Sequence, residues 1–277
     1  MSGFTRSADE TAANLLAAEK REGKKRTHRI SVRTDKPLED RHVNMSNILS
    51  RASQSLKLIE KRVVAIGLAK TDSVPFRDLT LATNHGWIVK ITAEEYAEQF
   101  SLSLDAAYLQ LQEAKTLMDR QLRFFEPSRK GVKERIINWC GEYTYHHGEG
   151  WAEFNFTPSI APFLLALRGK ENPFTSYQLS RVADLKSVHS WRLFECLLSW
   201  RLKGRWEPTI EEFCYTMDLP PSYQKDFGAI RRRVIDPAMK ELIEKDNMII
   251  SIELKKSGRK VTGLDFKFKE NPQVRLL

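Results

Sequence analysis

The feature that most restricts how this chain can fold is a pattern it uses twice. Residues 91–100, "ITAEEYAEQF", and 208–217, "PTIEEFCYTM", each place a threonine three positions before a glutamate, inside which runs Glu-Glu-aromatic at 94–96 and again at 211–213. Thr-x-x-Glu is the spacing of a capping box. The threonine hydroxyl accepts the backbone N–H of the third helical residue, and the glutamate reaches back to the threonine N–H. Helices are therefore predicted to begin at Ala93 and at Ile210. Behind the first, Tyr96 and Phe100 face inward, "SLS" at 101–103 makes a turn, and Ala107, Leu111, Ala114 and Met118 form the apolar stripe of a longer helix. Behind the second, the turn "DLPPS" at 218–222 leads into another helix. Both read as helix, turn, helix.

What surrounds each unit also repeats. Leu56, Ile59, Val63 and Ile66 stripe an amphipathic helix ahead of the first, within 53–70, and Trp191, Phe194, Leu197 and Leu198 do so ahead of the second, within 187–204. After the first, "RFFEPSRKGVKERIINW" at 123–139 reads as a small basic hairpin, with "WAEFNF" at 151–156 as its third strand. After the second, Ile250, Ile252 and Leu254 alternate with polar residues up to a Ser257-Gly258 turn, and Leu264, Phe266 and Phe268 return. Each half thus reads as leading helix, helix-turn-helix and basic β-wing, an α+β architecture that is mainly helical. Residues 1–45 read as a mobile basic arm, 46–170 as the first domain, 171–270 as the second, and 271–277 as a tail. The polar stretch 168–179, with Gly169 and Pro173, marks the boundary.

Charge suggests the partner. Lys and Arg number 45 against 36 Asp and Glu, a net charge of +9, and nucleic acid is the commonest polyanion for such a chain. Several classes are disfavoured by what is missing. There is no phosphate-cradling P-loop, no dinucleotide fingerprint and no nucleophile elbow. A rolling-circle nickase needs two histidines on one metal beside a nucleophilic tyrosine, but the adjacent His146 and His147 would point to opposite faces of a strand. No metal, cofactor or catalytic residue is expected. Cys140, Cys196 and Cys214 lack CxxC spacing, which fits a reducing cytoplasm, and neither a membrane span nor a signal peptide is apparent. Trp139, Trp151, Trp191 and Trp200 read as core.

The helix predicted over 225–242 holds three consecutive arginines. At about 100° per residue, Phe227, Ile230, Val234, Ala238 and Leu242 share one face, and Lys225, Arg232, Arg233 and Lys240 the opposite one. Arg231 falls near the apolar stripe, so it either snorkels or marks an irregular helix. Pro237 should kink or split the helix. The bland reading is a solvated face paired with Asp226, Asp236 and Glu241. Against it stands position: the second helix of a helix-turn-helix enters the major groove, where arginine can bond guanine in a bidentate way. Lys255, Lys256, Arg259 and Lys260 around the wing tip could hold the adjacent backbone. In the first unit the candidates are Ser103, which also stands where an N-cap would, with Asp105, Tyr108, Gln112 and Lys115 on the second helix, and Arg129, Lys130 and Lys133 on the hairpin.

Residues 174–204, 210–245 ("IEEFCYTMDLPPSYQKDFGAIRRRVIDPAMKELIEK") and 255–268 ("KKSGRKVTGLDFKF") resemble the second winged-helix domain of the iteron-binding, theta-type plasmid replication initiators. The first half is similar in order, so the likeness spans roughly residues 45–270. The resemblance implies two tandem winged-helix domains on directly repeated origin DNA, a monomer–homodimer equilibrium, and a dimer that represses its own promoter. It further implies recruitment of the host initiator and replicative helicase, copy control, and no catalysis. It maps the base-reading element onto Tyr223, Lys225, Arg231, Arg232 and Arg233. The chain departs from the family in its long arm and in Gly228-Ala229. A winged-helix transcriptional repressor is the alternative reading.

Overall fold

Described in the computed structural model are residues 36–72, 87–160, 162–163 and 174–270, all within one compact unit, Val32–Leu277. Strand β1 (His42–Ser46) and helix α1 (Asn47–Arg51) lead into α2 (Leu58–Ala69). Then come β2 (Trp87–Thr92), α3 (Ala93–Phe100) and α4 (Leu104–Glu113), the last continued by a 3-10 turn at Ala114–Asp119. A hairpin of β3 (Gln121–Ser128) and β4 (Gly131–Asn138) follows, then β5 (Cys140–His146) and β6 (Trp151–Phe156). The first capping box forms: Glu95 N–H donates to Thr92 Oγ1 at 3.1 Å and Thr92 N–H to Glu95 Oε2 at 3.0 Å.

The second half runs β7 (Phe174–Gln178), α5 (Ser180–Ala183), α6 (Val188–Ser199), β8 (Arg205–Trp206) and α7 (Ile210–Thr216). Its capping box also closes, with Glu212 N–H on Thr209 Oγ1 at 3.1 Å and Thr209 N–H on Glu212 Oε2 at 2.8 Å. A 3-10 turn at Pro221–Lys225, α8 (Phe227–Ile230), a π turn at Arg231–Ile235 and α9 (Asp236–Lys245) make the second helix. Strands β9 (Ile249–Ser257) and β10 (Lys260–Lys269) end the described chain.

Topology defines the duplication more sharply than sequence does. Both units have a short strand before the capping box and a hairpin after the second helix, antiparallel and in the same spatial order: β2-β6-β5 in the first, β8-β10-β9 in the second. This corrects one expectation. "WAEFNF" is not a third strand on the basic hairpin but the centre of the β2-β6-β5 sheet, and β3–β4 is a separate two-stranded insertion ahead of the true wing. Alternation along β6, with Ala152, Phe154 and Phe156 buried, gives that strand a buried face to pack on α2 and α4.

The two leading helices are buried around most of their circumference, where amphipathic stripes were predicted. Helix α2 is enclosed by β1, β2, α4 and the 3-10 turn, and α6 by α1, β7 and α9. Gly67 in α2 allows the closest approach. A Cβ there would lie 2.7 Å from Phe154 Cζ and 2.9 Å from Phe156 Cε2, so the helix tolerates a poor helix former at about 1 kcal/mol to let the sheet in. Met118 is partly exposed, because the longer helix ends at Glu113 and the 3-10 turn rotates it off the stripe. Of the residues read as an arm, 42–45 belong to β1, which pairs along its length with β7 because Val43 and Met45 are core. Residues 1–35 and the 271–277 tail lie outside the described residues. Trp139 and Trp191 are core; Trp151 and Trp200 are half-exposed, each capped by a cation, Lys90 and Arg51 respectively, at 3.9 Å.

Charged side chains join the units. Lys61 of α2 reaches Glu195 of α6 at 2.6 Å, both essentially without solvent, and Arg192 donates to the same carboxylate at 3.1 Å. Arg192 also donates to the carbonyls of Ala52 and Thr216, at 2.6 and 2.9 Å. Asp218, held at φ +54, accepts from the Ser53 hydroxyl and from the backbone N–H groups of Gln54 and Ser55, each at 3.0 Å. The inserted hairpin completes the joint: Phe125 lies against Tyr215, whose hydroxyl donates to Arg123 O at 2.5 Å.

Candidate nucleic-acid interface

The arginine helix starts from Asp226, whose Oδ1 accepts Ala229 N–H at 3.0 Å. One turn later the ladder widens, with Asp236 N–H donating to Arg231 O five residues back. Pro237 explains why. It has no N–H to give, and its ring would crowd the Arg233 carbonyl in a regular α-turn. A single π turn ahead of it relieves both problems. The helix is interrupted as Pro237 predicts, and the inserted residue changes which side chains face the core: Ile235 joins Ile230, Val234, Ala238 and Leu242 inside, while Phe227 is half-buried. It also resolves Arg231, which turns outward beside Asp236 at 3.4 Å. All three arginines are exposed.

Each arginine has a different neighbour. Arg233 lies near Tyr223, the largest influence holding its pKa above the ordinary arginine value. Arg232 lies over Gly228, with Nη1 3.3 Å from where a Cβ would stand. Lys240, further along, pairs weakly with Glu244 at 3.8 Å. The side chain of Lys225 lies outside what the structure describes.

The wing of this unit is electrically graded. At its base Arg205 grips Asp265 with two bonds of 2.7 and 2.6 Å, which hold that carboxyl below the usual carboxylate range. Lys267 pairs with Glu253 and Lys255 with Glu207, each at 2.6 Å. At the tip, Lys256, Arg259 and Lys260 are exposed and have no ion-pair partner among the described residues. Cations without an ion-pair partner among the described residues thus stand at the wing tip and, as Arg232 and Arg233, on the arginine face.

The first unit is chemically different. Ser103 is the N-cap of α4, its Oγ accepting Ala106 N–H at 3.3 Å. Asp105, Gln112 and Lys115 are exposed on the helix or its 3-10 extension, with Leu104 and Leu109 among them. Tyr108 is half-buried: its ring fills the space beneath Gly150, at φ +67, where a Cβ would meet Tyr108 Cε1 at 2.5 Å. It ties the helix to the β5–β6 turn. Arg129 and Lys130 sit exposed at the tip of the inserted hairpin, and Lys133 lies 3.6 Å from Glu126.

The position equivalent to the basic wing tip is therefore His146 to Gly150, whose two histidines the sequence offered as near a strand end but not as part of a wing, the wing having been assigned to 123–139. There His146 stacks on Trp151 at 3.7 Å and His147 meets Tyr145 edge-on. The signal that could have found it is the glycine pair 148 and 150 between two alternating runs, "CGEYTYH" and "WAEFNF". Among the described residues there is no cluster of three or more potential metal ligands and no helix long and apolar enough to cross a membrane. The three cysteines are buried and unbridged.

Comparison with known proteins agrees with this architecture. An uncharacterized 27.6 kDa protein of Escherichia coli is 26% identical over 220 residues, covering 78% of this chain and 91% of the relative. The PI protein of Escherichia coli is 25% identical over 251 residues, 80% of each. The crystal structure of a Pi initiator protein in complex with iteron DNA shares the fold, with a TM-score of 0.68, 22% identity, and coverage of 84% of this chain and 99% of that one. Residues 42–198 match the family described as initiator replication protein, WH1, and residues 209–268 match initiator Rep protein, WH2. With two winged-helix units in tandem, the chain belongs to the replication initiator (Rep) protein family.

Proposed function

We propose that the chain is a plasmid replication initiator that binds directly repeated origin DNA, the iterons, through both winged-helix units, and thereby promotes origin opening. The observation that carries this is the second unit's surface, where the second helix of the helix-turn-helix carries an exposed arginine face and the β9–β10 wing ends in a tip of cations without ion-pair partners among the described residues. On this reading Arg231, Arg232 and Arg233, with Tyr223 and Lys225, address the major groove, while Lys256, Arg259 and Lys260, with Lys255, hold phosphates. Ser103, Asp105, Tyr108, Gln112 and Lys115 form the weaker, less basic reading surface of the first unit, and Arg129, Lys130 and Lys133 a phosphate contact.

Two unlike units on successive major-groove faces make an asymmetric site about 10 base pairs between centres. Direct repeats suit a monomer, and an inverted arrangement, as at the chain's own promoter, suits a homodimer that autorepresses and so controls copy number. The host initiator and the replicative helicase are the further partners, the compartment is the bacterial cytoplasm, and no catalytic step is assigned. The test is complementation. The gene supplied in trans should support replication of a plasmid carrying the candidate origin. Occupancy of a promoter operator with no origin activity would leave a repressor in its place.

A further inference from the structure

We propose that Gly228 is a specificity-determining residue of this chain, the seat on which Arg232 is held in its DNA-reading pose; this rests on the DNA-binding reading above. A helical side chain leans toward the N-terminus and over the residue four positions earlier, and for Arg232 that residue is Gly228. The missing side chain leaves a trough. A Cβ built there would lie 3.3 Å from Arg232 Nη1, 3.9 Å from its Cζ and 3.1 Å from Asp226 Oδ1. The guanidinium thus lies over the space that a side chain at 228 would take. Asp226 Oδ1 is already committed to Ala229 N–H at 3.0 Å, and Asp226 makes no ion pair with Arg232 within 4.0 Å.

Glycine is a poor choice here on helical grounds alone. Gly228 is not at positive φ, so its backbone needs no glycine, and alanine would favour the helix. What glycine supplies is clearance for a planar, five-donor head whose value in base recognition depends on a fixed plane. A guanidinium already resting in one pose has less rotamer freedom to lose when it meets a base edge. Arg231 and Arg233 are restrained differently, by Asp236 and Tyr223, so the seat is particular to Arg232.

The test selects duplexes from a randomised library with the unaltered full chain. It then measures affinity for the selected duplex and for an unrelated duplex of equal length, using Gly228→Ala, Arg232→Ala and the double variant. Gly228→Ala should bind the selected duplex about tenfold more weakly, bind the unrelated duplex as before, and melt at the same or a higher temperature. In the Arg232→Ala background it should add nothing, since its effect passes through that side chain. Undiminished affinity of Gly228→Ala, or effects that add in the double variant, would overturn the proposal while leaving DNA recognition intact. If the unaltered chain enriches no sequence, the DNA reading and this proposal fall together.

Discussion

Replacing Glu195 by glutamine isolates the charge cluster that joins the two units. In the native protein Lys61 and Arg192 share the Glu195 carboxylate at 2.6 and 3.1 Å, and all three side chains are at most 2% exposed. Its other oxygen accepts the Tyr177 hydroxyl at 2.7 Å, and Tyr177 in turn accepts Trp191 Nε1–H at 3.0 Å. Two cations and one anion leave one net positive charge in the core; Glu195→Gln leaves two. Removing one partner of a buried pair costs about 3–5 kcal/mol. The loss is capped because Lys61 can give up its proton: burial outweighs Glu195 and already draws its pKa down to about 8. Glu195, facing two cations, is instead held below the ordinary carboxylate range despite its burial. Adding Lys61→Met to the variant restores the original net charge and should recover about 2 kcal/mol or more, a strong departure from additivity. Urea unfolding followed by tryptophan fluorescence and far-ultraviolet circular dichroism reads both numbers. A loss under about 1 kcal/mol for Glu195→Gln, or simple addition in the double variant, would refute this account of the joint.

Three further outcomes follow from the same contacts. Asp218→Ala removes the acceptor of two backbone N–H groups and one hydroxyl at the joint and should destabilise by about 2–4 kcal/mol in urea unfolding; a neutral result would mean that the units are not held there. Between pH 8 and 10.5 the unfolded chain keeps a Lys61 proton that the folded chain has released, so this group makes stability rise with pH in that window by up to about 1.4 kcal/mol per unit. The buried cysteines and tyrosines, whose raised pKa values act in the opposite sense, set the rest of the profile, so the readout is the difference: Lys61→Met should remove this positive contribution to the slope, and identical pH profiles for the two proteins would contradict it. If about eight phosphates are neutralised, log K for DNA should fall with log salt at a slope near −7, and Lys256→Ala with Arg259→Ala should bring it about two units nearer zero; a flat salt response would rule out the basic surface as the binding surface.

The duplicated capping boxes were legible because their signal is local: Thr92 and Thr209 need only a glutamate three residues on. Pro237 likewise announced a break, since a missing N–H acts wherever a helix forms. The kind of break was not legible. Whether a helix kinks or widens depends on whether another residue, here Ile235, can be buried by the widening. Strand partners were least legible. "WAEFNF" reads as a strand in isolation, but its pairing with β2, over fifty residues earlier, rests on how α2 packs beneath both. The buried charges of α2 and α6 were hidden for a related reason. Lys61, Arg192 and Glu195 look like solvent-facing residues until the helices are seen to enclose one another. The seat beneath Arg232 was half visible, as an unusual glycine without a stated use.

The central claim, that this chain reads directly repeated DNA through the arginine helix, is tested most directly by nuclease protection. The DNA flanking its own gene would be protected with the purified chain and with the Arg232→Ala, Arg233→Ala double variant. The prediction is protection of several repeats in the same orientation, lost in the variant under conditions where its folded state is unchanged. Protection confined to one inverted repeat, or a footprint of direct repeats that survives loss of both arginines, would contradict it.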